Sequence, residues 1–217
     1  MTKLTFDISV SLDGFVAGPN QTLEAPLGEG GERLHEWALR LKAWREPHGL
    51  EGGEVNADSA VMEEGLAGVG ATVMGRRMFS GGAGPWEEDP NADAWWGDEP
   101  PFHHPVFVLT HHAREPVVKA GGTTFNFVTE GIEYALDAAR EAAGERNVVV
   151  AGGASVGQQY LAAGLLDEIH LHVVPVLLGG GVRLFDGQLA GAPVGLELTR
   201  VLESPTGVTH ASYRVVR

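Results

Sequence analysis

Two segments of the chain run an apolar strand into glycine and on into a helix: Ala71-Thr72-Val73-Met74-Gly75-Arg76-Arg77 and Val148-Val149-Val150-Ala151-Gly152-Gly153-Ala154-Ser155. The first N–H groups of a helix have no intrahelical acceptor and carry the positive end of its dipole, so such a turn aims donors at one point beyond the strand end. That point suits an anion. Arg76 and Arg77 are misplaced cations in a helix's first turn, and a negative group among them would resolve the conflict. Two such turns in one chain point to a ligand with several phosphates, a dinucleotide foremost.

Other residues carry weaker signals. His170 and His172 share a strand face, and His103, His104, His111 and His112 form a second group, but a metal site needs a third ligand and an outer shell, so none is expected. Asp13 stands in an Asp-Gly pair, which is turn chemistry first and an acid or ribose ligand second. Gly179-Gly180-Gly181 before Arg183 reads as a plain turn ahead of a phosphate cradle. Trp37 and Trp44 fit a core stripe better than a stacking platform.

Composition narrows the classes. The 217 residues and 43% hydrophobic content fit one domain, 1–217. A net charge of −14 leaves few cations for a phosphate-neutralising face, so no nucleic-acid partner is expected, and any anionic ligand must be held by local charge. There is no cysteine, which removes disulfides, thiolate catalysis and thiolate metal sites. Met1-Thr2-Lys3 leads straight into a strand-like run, and no apolar run approaches the ~18 residues of a membrane span, so a soluble cytoplasmic protein without membrane partners is expected.

The elements that must position these residues follow from periodicity. Leu4 to Val10 alternates as a strand, and a glycine-rich connection runs to about Gly31. Leu34, Trp37, Ala38, Leu41 and Trp44 predict one helix over Glu32 to Glu46, stopped by Pro47 and Gly49. Asn56 or Asp58 caps a short helix carrying Val61, Met62 and Leu66. Pro105 to Thr110 and Thr124 to Val128 read as strands, Ile132 to about Gly144 as a helix, and Val148 to Ala151 as a buried strand. Ser155 to Ala163 then reads as a helix closed by Gly164, and Glu168 to Val174 as a strand. Val194 to Leu202 and Val208 to Val216, split by Ser204-Pro205-Thr206-Gly207, form an antiparallel hairpin. Trp86 to Pro101, with three tryptophans among acids, has no periodicity: a solvated loop, or a lid or subunit contact. The fold expected is α/β, three-layered, with a mainly parallel sheet, helices on both faces and a C-terminal antiparallel hairpin. Ligands of such sheets sit outside the carboxyl ends of the strands, where both glycine turns lie.

The order of motifs resembles the dihydrofolate-reductase-like superfamily, and more closely the reductase domain of the riboflavin-pathway bifunctional deaminase-reductase. The resemblance covers nearly the whole chain. It rests on Ser11-Leu12-Asp13-Gly14, Val73-Met74-Gly75-Arg76-Arg77, Val108-Leu109-Thr110-His111 and Val150-Ala151-Gly152-Gly153-Ala154-Ser155. Leu165-Leu166-Asp167-Glu168-Ile169-His170-Leu171-His172 and Pro175-Val176-Leu177-Leu178-Gly179-Gly180-Gly181 complete it.

The resemblance implies NADPH as cofactor. It assigns Gly75, Arg76 and Arg77 to the cofactor phosphates, with Arg76 near the adenosine 2′-phosphate, and Thr110 and His111 to the adenosine ribose. Gly152, Gly153, Ala154, Ser155 and Val156 fall under the pyrophosphate, while Ser11, Asp13 and Ala17 approach the nicotinamide. His172 matches a substrate-facing position, and Glu36 or Glu32 lies where these proteins carry an acid on the first long helix, so Asp13, His172 and Glu36 are the candidate catalytic residues. The implied activity is reduction of a small heterocyclic or phosphoribosylamino-pyrimidine-type substrate by direct hydride transfer, which asks the protein chiefly for placement and exclusion of water. The alternatives are a regulatory NADP-binding module and a dihydrofolate or flavin reductase variant. The resemblance also implies a homodimer, to which Ile169 to Leu178 would contribute unless it is central-sheet core.

Overall fold

The computed structural model describes residues 2–82, 84–93, 96–186 and 193–216. In chain order these residues form β1 (Leu4–Ser11), β2 (Phe15–Ala17), α1 (Glu36–Leu39), α2 (Lys42–Arg45), α3 (Ala57–Leu66), β3 (Val69–Gly75), α4 (Arg76–Ser80), β4 (Pro105–Leu109), β5 (Val117–Val118), β6 (Thr124–Val128), α5 (Ile132–Ala143), β7 (Asn147–Gly152), α6 (Ala154–Ala162), β8 (Glu168–Val174), β9 (Val182–Arg183), β10 (Gly195–Glu203) and β11 (Thr209–Val216). One sheet orders nine of the strands β10-β11-β8-β1-β7-β3-β4-β6-β5, and β2 pairs with β9 apart from it.

From β8 to β6 every neighbouring pair is parallel, whereas β10, β11 and β5 run antiparallel at the two edges. This is the mixed α/β sheet expected, with its hairpin at one edge. On one face Leu4, Phe6, Val148, Val150 and Ile169 pack with Leu136, Tyr160 and Leu161 of α5 and α6. A side chain at Gly157 would place its Cβ 2.2 Å from Phe6, so glycine there lets α6 lie directly on β1. The opposite face carries Leu34, Trp37, Leu41, Val174 and Val208 at one end and Met74, Phe79, Val108 and Phe125 at the other.

The helix expected over Glu32 to Glu46 is broken. A 3-10 turn at Gly31–Leu34 precedes α1, and Leu41 is extended at φ −77°, ψ 142° before α2 resumes. There the backbone pairs sideways: Lys42 N–H donates to Glu54 C=O at 2.9 Å, and Glu54 N–H to Arg40 C=O at 2.8 Å. The side chain of Leu41 is completely buried. The apolar spacing survives because the fragments remain helical on either side, so periodicity alone does not expose a break made by the returning segment at Glu54. Asn56, not Asp58, caps α3, accepting from the Asp58 and Ser59 amides. In the tryptophan-rich segment Trp86 joins the core around Phe79 and Phe127, and Trp96 packs on Phe102; Trp95 lies outside the described residues.

Candidate active site

The two glycine turns meet. β3 and β7 are neighbours with Met74 opposite Gly152, and a Cβ on Gly75 would lie 3.1 Å from Val156 Cγ2 and 3.8 Å from the Gly153 nitrogen. The Gly152–Gly153 peptide is cis. Gly153 and Ser155 are exposed, and an added Cβ on Gly153 would meet nothing within 4 Å. The first bond of α6 runs from Val156 N–H to Gly153 C=O, so the amides of Ala154 and Ser155 precede the intrahelical ladder at the open side of the turn. Ala154 and Val156 are buried and anchor the turn to the core.

Arg76 does not face that opening. Its guanidinium is buried, paired at 2.5 Å with Asp89 and bonded to Ser80, and its carbon lies 3.6 Å from the Trp86 ring centroid. The negative group that the two arginines require is therefore supplied in part by the chain itself: Arg76, expected at a 2′-phosphate, is paired with Asp89. Burial works to raise the pKa of Asp89, and hydrogen bonds from Ser80 and Arg76 overcome it and hold the carboxyl below its usual range. Asp89 sits in the segment without periodicity, so nothing in the sequence placed it beside Arg76. Arg77 is the cation of this turn that remains exposed.

At the end of β4, Thr110 is buried, its amide donates to Val128 C=O at 3.0 Å and its hydroxyl accepts from His112 N–H at 3.1 Å, while His111 is exposed. Beyond β1, Ser11 donates to Asp13 at 2.6 Å and accepts from Phe15 N–H, and Ala17 is buried in β2. Asp13 also accepts from the amides of Leu178 (3.1 Å) and Gly179 (2.7 Å). The Ser11 hydroxyl, with these amides, brings its pKa down to about 2. A carboxylate so occupied clamps the loop after β8, and this is where the structure places the residue expected as a catalytic acid. The triple glycine is bent backbone packed against the chain: the Gly179 amide is committed to Asp13, and a Cβ on Gly181 would stand 2.1 Å from Ala17 O.

The polar centre lies on the sheet face beneath α1 and α3. Asp7 Oδ1 is 2.9 Å from His172 Nε2, His172 Nδ1 is 2.7 Å from His210 Nδ1, and His210 Nε2 is 2.7 Å from Asp58 Oδ1. Thr206 donates to the other oxygen of Asp58 at 3.0 Å. Trp37 covers both imidazoles, with ring centroids at 4.9 and 5.0 Å, and donates its indole N–H to Ser9. His170 also contacts Asp7, at 3.5 Å, and its pKa is raised by that carboxylate against the effect of burial. His172, picked from the sequence, is thus in a buried network. Glu36 is not: it is exposed on α1, 3.9 Å from Arg40. A groove of about 140 Å³ opens beside Trp37, walled by Arg33, Glu36, Arg40, Pro175 and Thr206. Among the described residues no cluster of three His, Asp or Glu side chains is arranged for a metal ion.

Asp7, Asp58, His210 and Thr206 were not read as site residues in the sequence, where Asp58 figures only as a helix cap and Thr206 as a turn residue, yet a signal was there. β1 alternates Leu4, Phe6, Ile8 and Val10 with Thr5, Asp7, Ser9 and Ser11, and in a parallel sheet with helices on both faces the second set is also covered. A polar face that meets protein instead of water has to be bonded internally, and such faces build sites.

Comparison with known proteins agrees with this architecture. A Shewanella sp. PV-4 protein assigned to riboflavin biosynthesis superposes with a TM-score of 0.62 at 23% identity, each chain covered completely. The diaminohydroxyphosphoribosylaminopyrimidine deaminase/5-amino-6-(5-phosphoribosylamino)uracil reductase of Thermotoga maritima gives 0.57 at 13% identity, with 99% of this chain matched to 57% of that longer one. Dihydrofolate reductase from Enterococcus faecalis, solved with NADP(H) and RAB-propyl, gives 0.52 at 15% identity over 99% of this chain and 97% of that one. No curated protein sequence matches the chain. The profile of the RibD C-terminal domain matches residues 2–210, and the chain belongs to that family.

Proposed function

We propose that the protein is a single-domain, NADPH-dependent reductase of a small heterocyclic or phosphoribosylamino-pyrimidine-type substrate. The observation that carries this reading is the contact between the two glycine turns, Gly75 against Gly153 and Val156, at the carboxyl ends of adjacent parallel strands. Family membership, and neighbours named as pyrimidine-pathway reductases, support a reductase role.

The residues present fit a dinucleotide. The backbone at Gly153, Ala154 and Ser155 is open on one side, and Arg77 and His111 are exposed beside the ends of β3 and β4. These residues, with Gly75 and the buried Thr110, would hold the phosphates and adenosine ribose, and Arg77 replaces Arg76 as the candidate for a 2′-phosphate. When bound, the reduced nicotinamide supplies a hydride. The chain's own part is placement: Ser11 and Asp13 fix the loop beyond β1, and Trp37 with the wall of the groove shields the acceptor from water.

Titrating the protein with NADPH and with NADH, followed by tryptophan fluorescence, tests the reading. Saturable quenching that is tighter for NADPH, with NADPH oxidation by a pyrimidine acceptor, is expected; affinity no better than that of adenosine overturns it.

Two further assignments belong to this reading. A homodimer is supported by β10, an edge strand exposed along its length with Leu196, Leu198 and Val201 in solvent. Within the stretch Ile169 to Leu178, β8 lies inside the sheet between β11 and β1 and Ile169 is wholly buried, whereas Leu177, beyond the strand, is exposed. No helix among the described residues is long and apolar enough to cross a membrane, which accords with a cytoplasmic enzyme.

A further inference from the structure

The chain of contacts through Asp7, His172, His210 and Asp58 fixes a proton count. Three successive contacts of 2.9, 2.7 and 2.7 Å join four groups, and each needs one hydrogen between its heavy atoms. Two ionised carboxylates and two neutral imidazoles bring two hydrogens. Any placement of two leaves one contact with lone pairs facing each other, either between the Nδ1 atoms or between an Nε2 and a carboxylate. A third proton satisfies all three. With both Nε2–H groups donating to carboxylates, it lies between His172 Nδ1 and His210 Nδ1, and the cluster carries one negative charge instead of two.

We propose that Asp7, His172, His210 and Asp58 form one unit that stores a single proton between the two imidazoles and delivers it through Thr206 to a ligand in the groove. Delivery rests on the reductase reading; storage does not.

The surroundings support storage of one proton and not two. Burial works to raise the pKa of Asp7, but His172 and His170 overcome it and hold that carboxyl far below its usual range. Burial lowers the pKa of His210, Asp58 and Asp7 oppose this, and His172 lowers it further, so the second ring resists a charge of its own. The groups facing the pair are Asp7 from β1, His170 and Glu168 from β8, Asp58 from α3, and His35, whose pKa is lowered by burial and by His172. Trp37 packs against both rings, tilted on His172 and T-shaped on His210.

The unit has two ends of different character. Asp58 is fully buried and is bonded by Thr206, a residue that lines the groove and whose hydroxyl also bonds Ser204, whereas Asp7 and His170 are partly exposed. Movement of the His210 Nε2 proton onto Asp58 Oδ1, followed by rotation of the carboxyl group that carries this proton to the Thr206 side, lets the Thr206 hydroxyl accept it and donate its own hydrogen into the groove. For a C=N or C=O acceptor, a reduced dinucleotide, when bound, would supply the hydride of the new C–H bond, and as the π bond breaks the stored proton makes the N–H or O–H bond. The unit then holds two protons for three contacts and recovers the third from solvent through Asp7 and His170.

Proton and nitrogen NMR of histidine-labelled protein without ligand tests storage directly. One strongly deshielded exchangeable proton, coupled to the Nδ1 of both His172 and His210, is expected. In Asp58→Asn, where the amide N–H donates to His210 Nε2 and the extra proton is no longer required, a hydrogen stays between the Nδ1 atoms but His210 Nε2 loses its own, so the His210 Nε2 resonance is expected to move to the position of an unprotonated imidazole nitrogen. Two independent neutral rings in the unaltered protein overturn the proposal. Thr206→Val tests delivery: the deshielded proton remains, KM for NADPH is unchanged, and kcat with a pyrimidine acceptor falls about tenfold or more above neutral pH. An unaltered pH profile overturns delivery through Thr206. A protein that shows the proton but reduces no acceptor removes delivery together with the reductase reading, and leaves storage established.

Discussion

The guanidinium of Arg76 is closed on the carboxylate of Asp89 at 2.5 Å inside the very turn where two adjacent arginines called for an external anion. Ser80 bonds to both partners and Trp86 lies over the cation, so the pair is a structural unit in which neither member is solvated.

Removing either partner leaves a buried charge without its counterion, a loss of about 3–5 kcal/mol. Arg76→Ala is therefore expected to lower stability by that order and to weaken NADPH and NADH alike, through the turn. Arg77→Ala is expected to spare stability and to weaken NADPH selectively, by about 1.5–3 kcal/mol, as for a lost hydrogen bond to a charged group. Urea unfolding and paired fluorescence titrations separate the two. Selective loss of NADPH in Arg76→Ala, with stability intact, would restore the original assignment.

The ease with which the sequence yielded the turns, and its silence on Asp89, have one cause. Strand, glycine and helix are consecutive, so local chemistry locates Gly75 and Gly153, and parallel topology brings their strands side by side. Asp89 reaches Arg76 across a loop with no period, and Leu41 leaves its helix because a distant segment at Glu54 pairs with it. His172 was legible through its motif, but its partners come from three separate elements: Asp7 in β1, Asp58 in α3 and His210 in β11. Pairing across the sheet sets those neighbours, and one strand's pattern does not contain them.

Asp13 differs from an acid that must cycle its proton. Its pKa, down to about 2 from an ordinary 3.8, means that its hydrogen bonds favour the folded state most fully above pH 3.8, and that this advantage is lost as pH falls toward 2. Asp13→Asn should be less stable than the unaltered protein at neutral pH, and the gap between the two should close on acidification. Denaturant midpoints measured between neutral and strongly acid pH check the trend. Because Asp13 holds a loop, kcat in the variant is expected to keep its pH dependence even where its size falls; a vanished acid limb would return Asp13 to proton transfer.

His104 responds to acid in the same direction, by gaining a charge where Asp13 loses one. Burial, reinforced by Arg146 and His103, brings its pKa down to about 4, and its Nε2 lies 2.7 Å from the Thr72 hydroxyl. The unfolded chain takes up this proton near pH 6.5 and the folded one resists until about 4, so the unfolded state binds more protons in that window and stability declines as pH drops through it. At about 1.4 kcal/mol per unit the loss approaches ~3 kcal/mol. His104→Gln, which cannot take up a proton, should flatten this part of the stability profile while costing stability at neutral pH, and an unchanged slope between pH 6.5 and 4 would assign the acid sensitivity elsewhere.

The edge at β10 offers the most direct test of assembly. Leu196 and Leu198 are two residues apart on the strand and are 42% and 54% exposed, and the strand's outer backbone edge has no neighbour in the nine-stranded order. Apolar side chains beside unpaired backbone groups invite a second strand, and a lysine on such an edge is a common device against that pairing. Leu198→Lys is therefore expected to shift the protein from dimer to monomer in sedimentation velocity at micromolar concentration. The folded monomer itself should change by no more than about 0.5 kcal/mol, because the side chain is already in water. A variant that sediments as the unaltered protein does would show that β10 is not the contact, and a monomer in both would remove the dimer from the reading while leaving the cofactor and groove assignments as they stand.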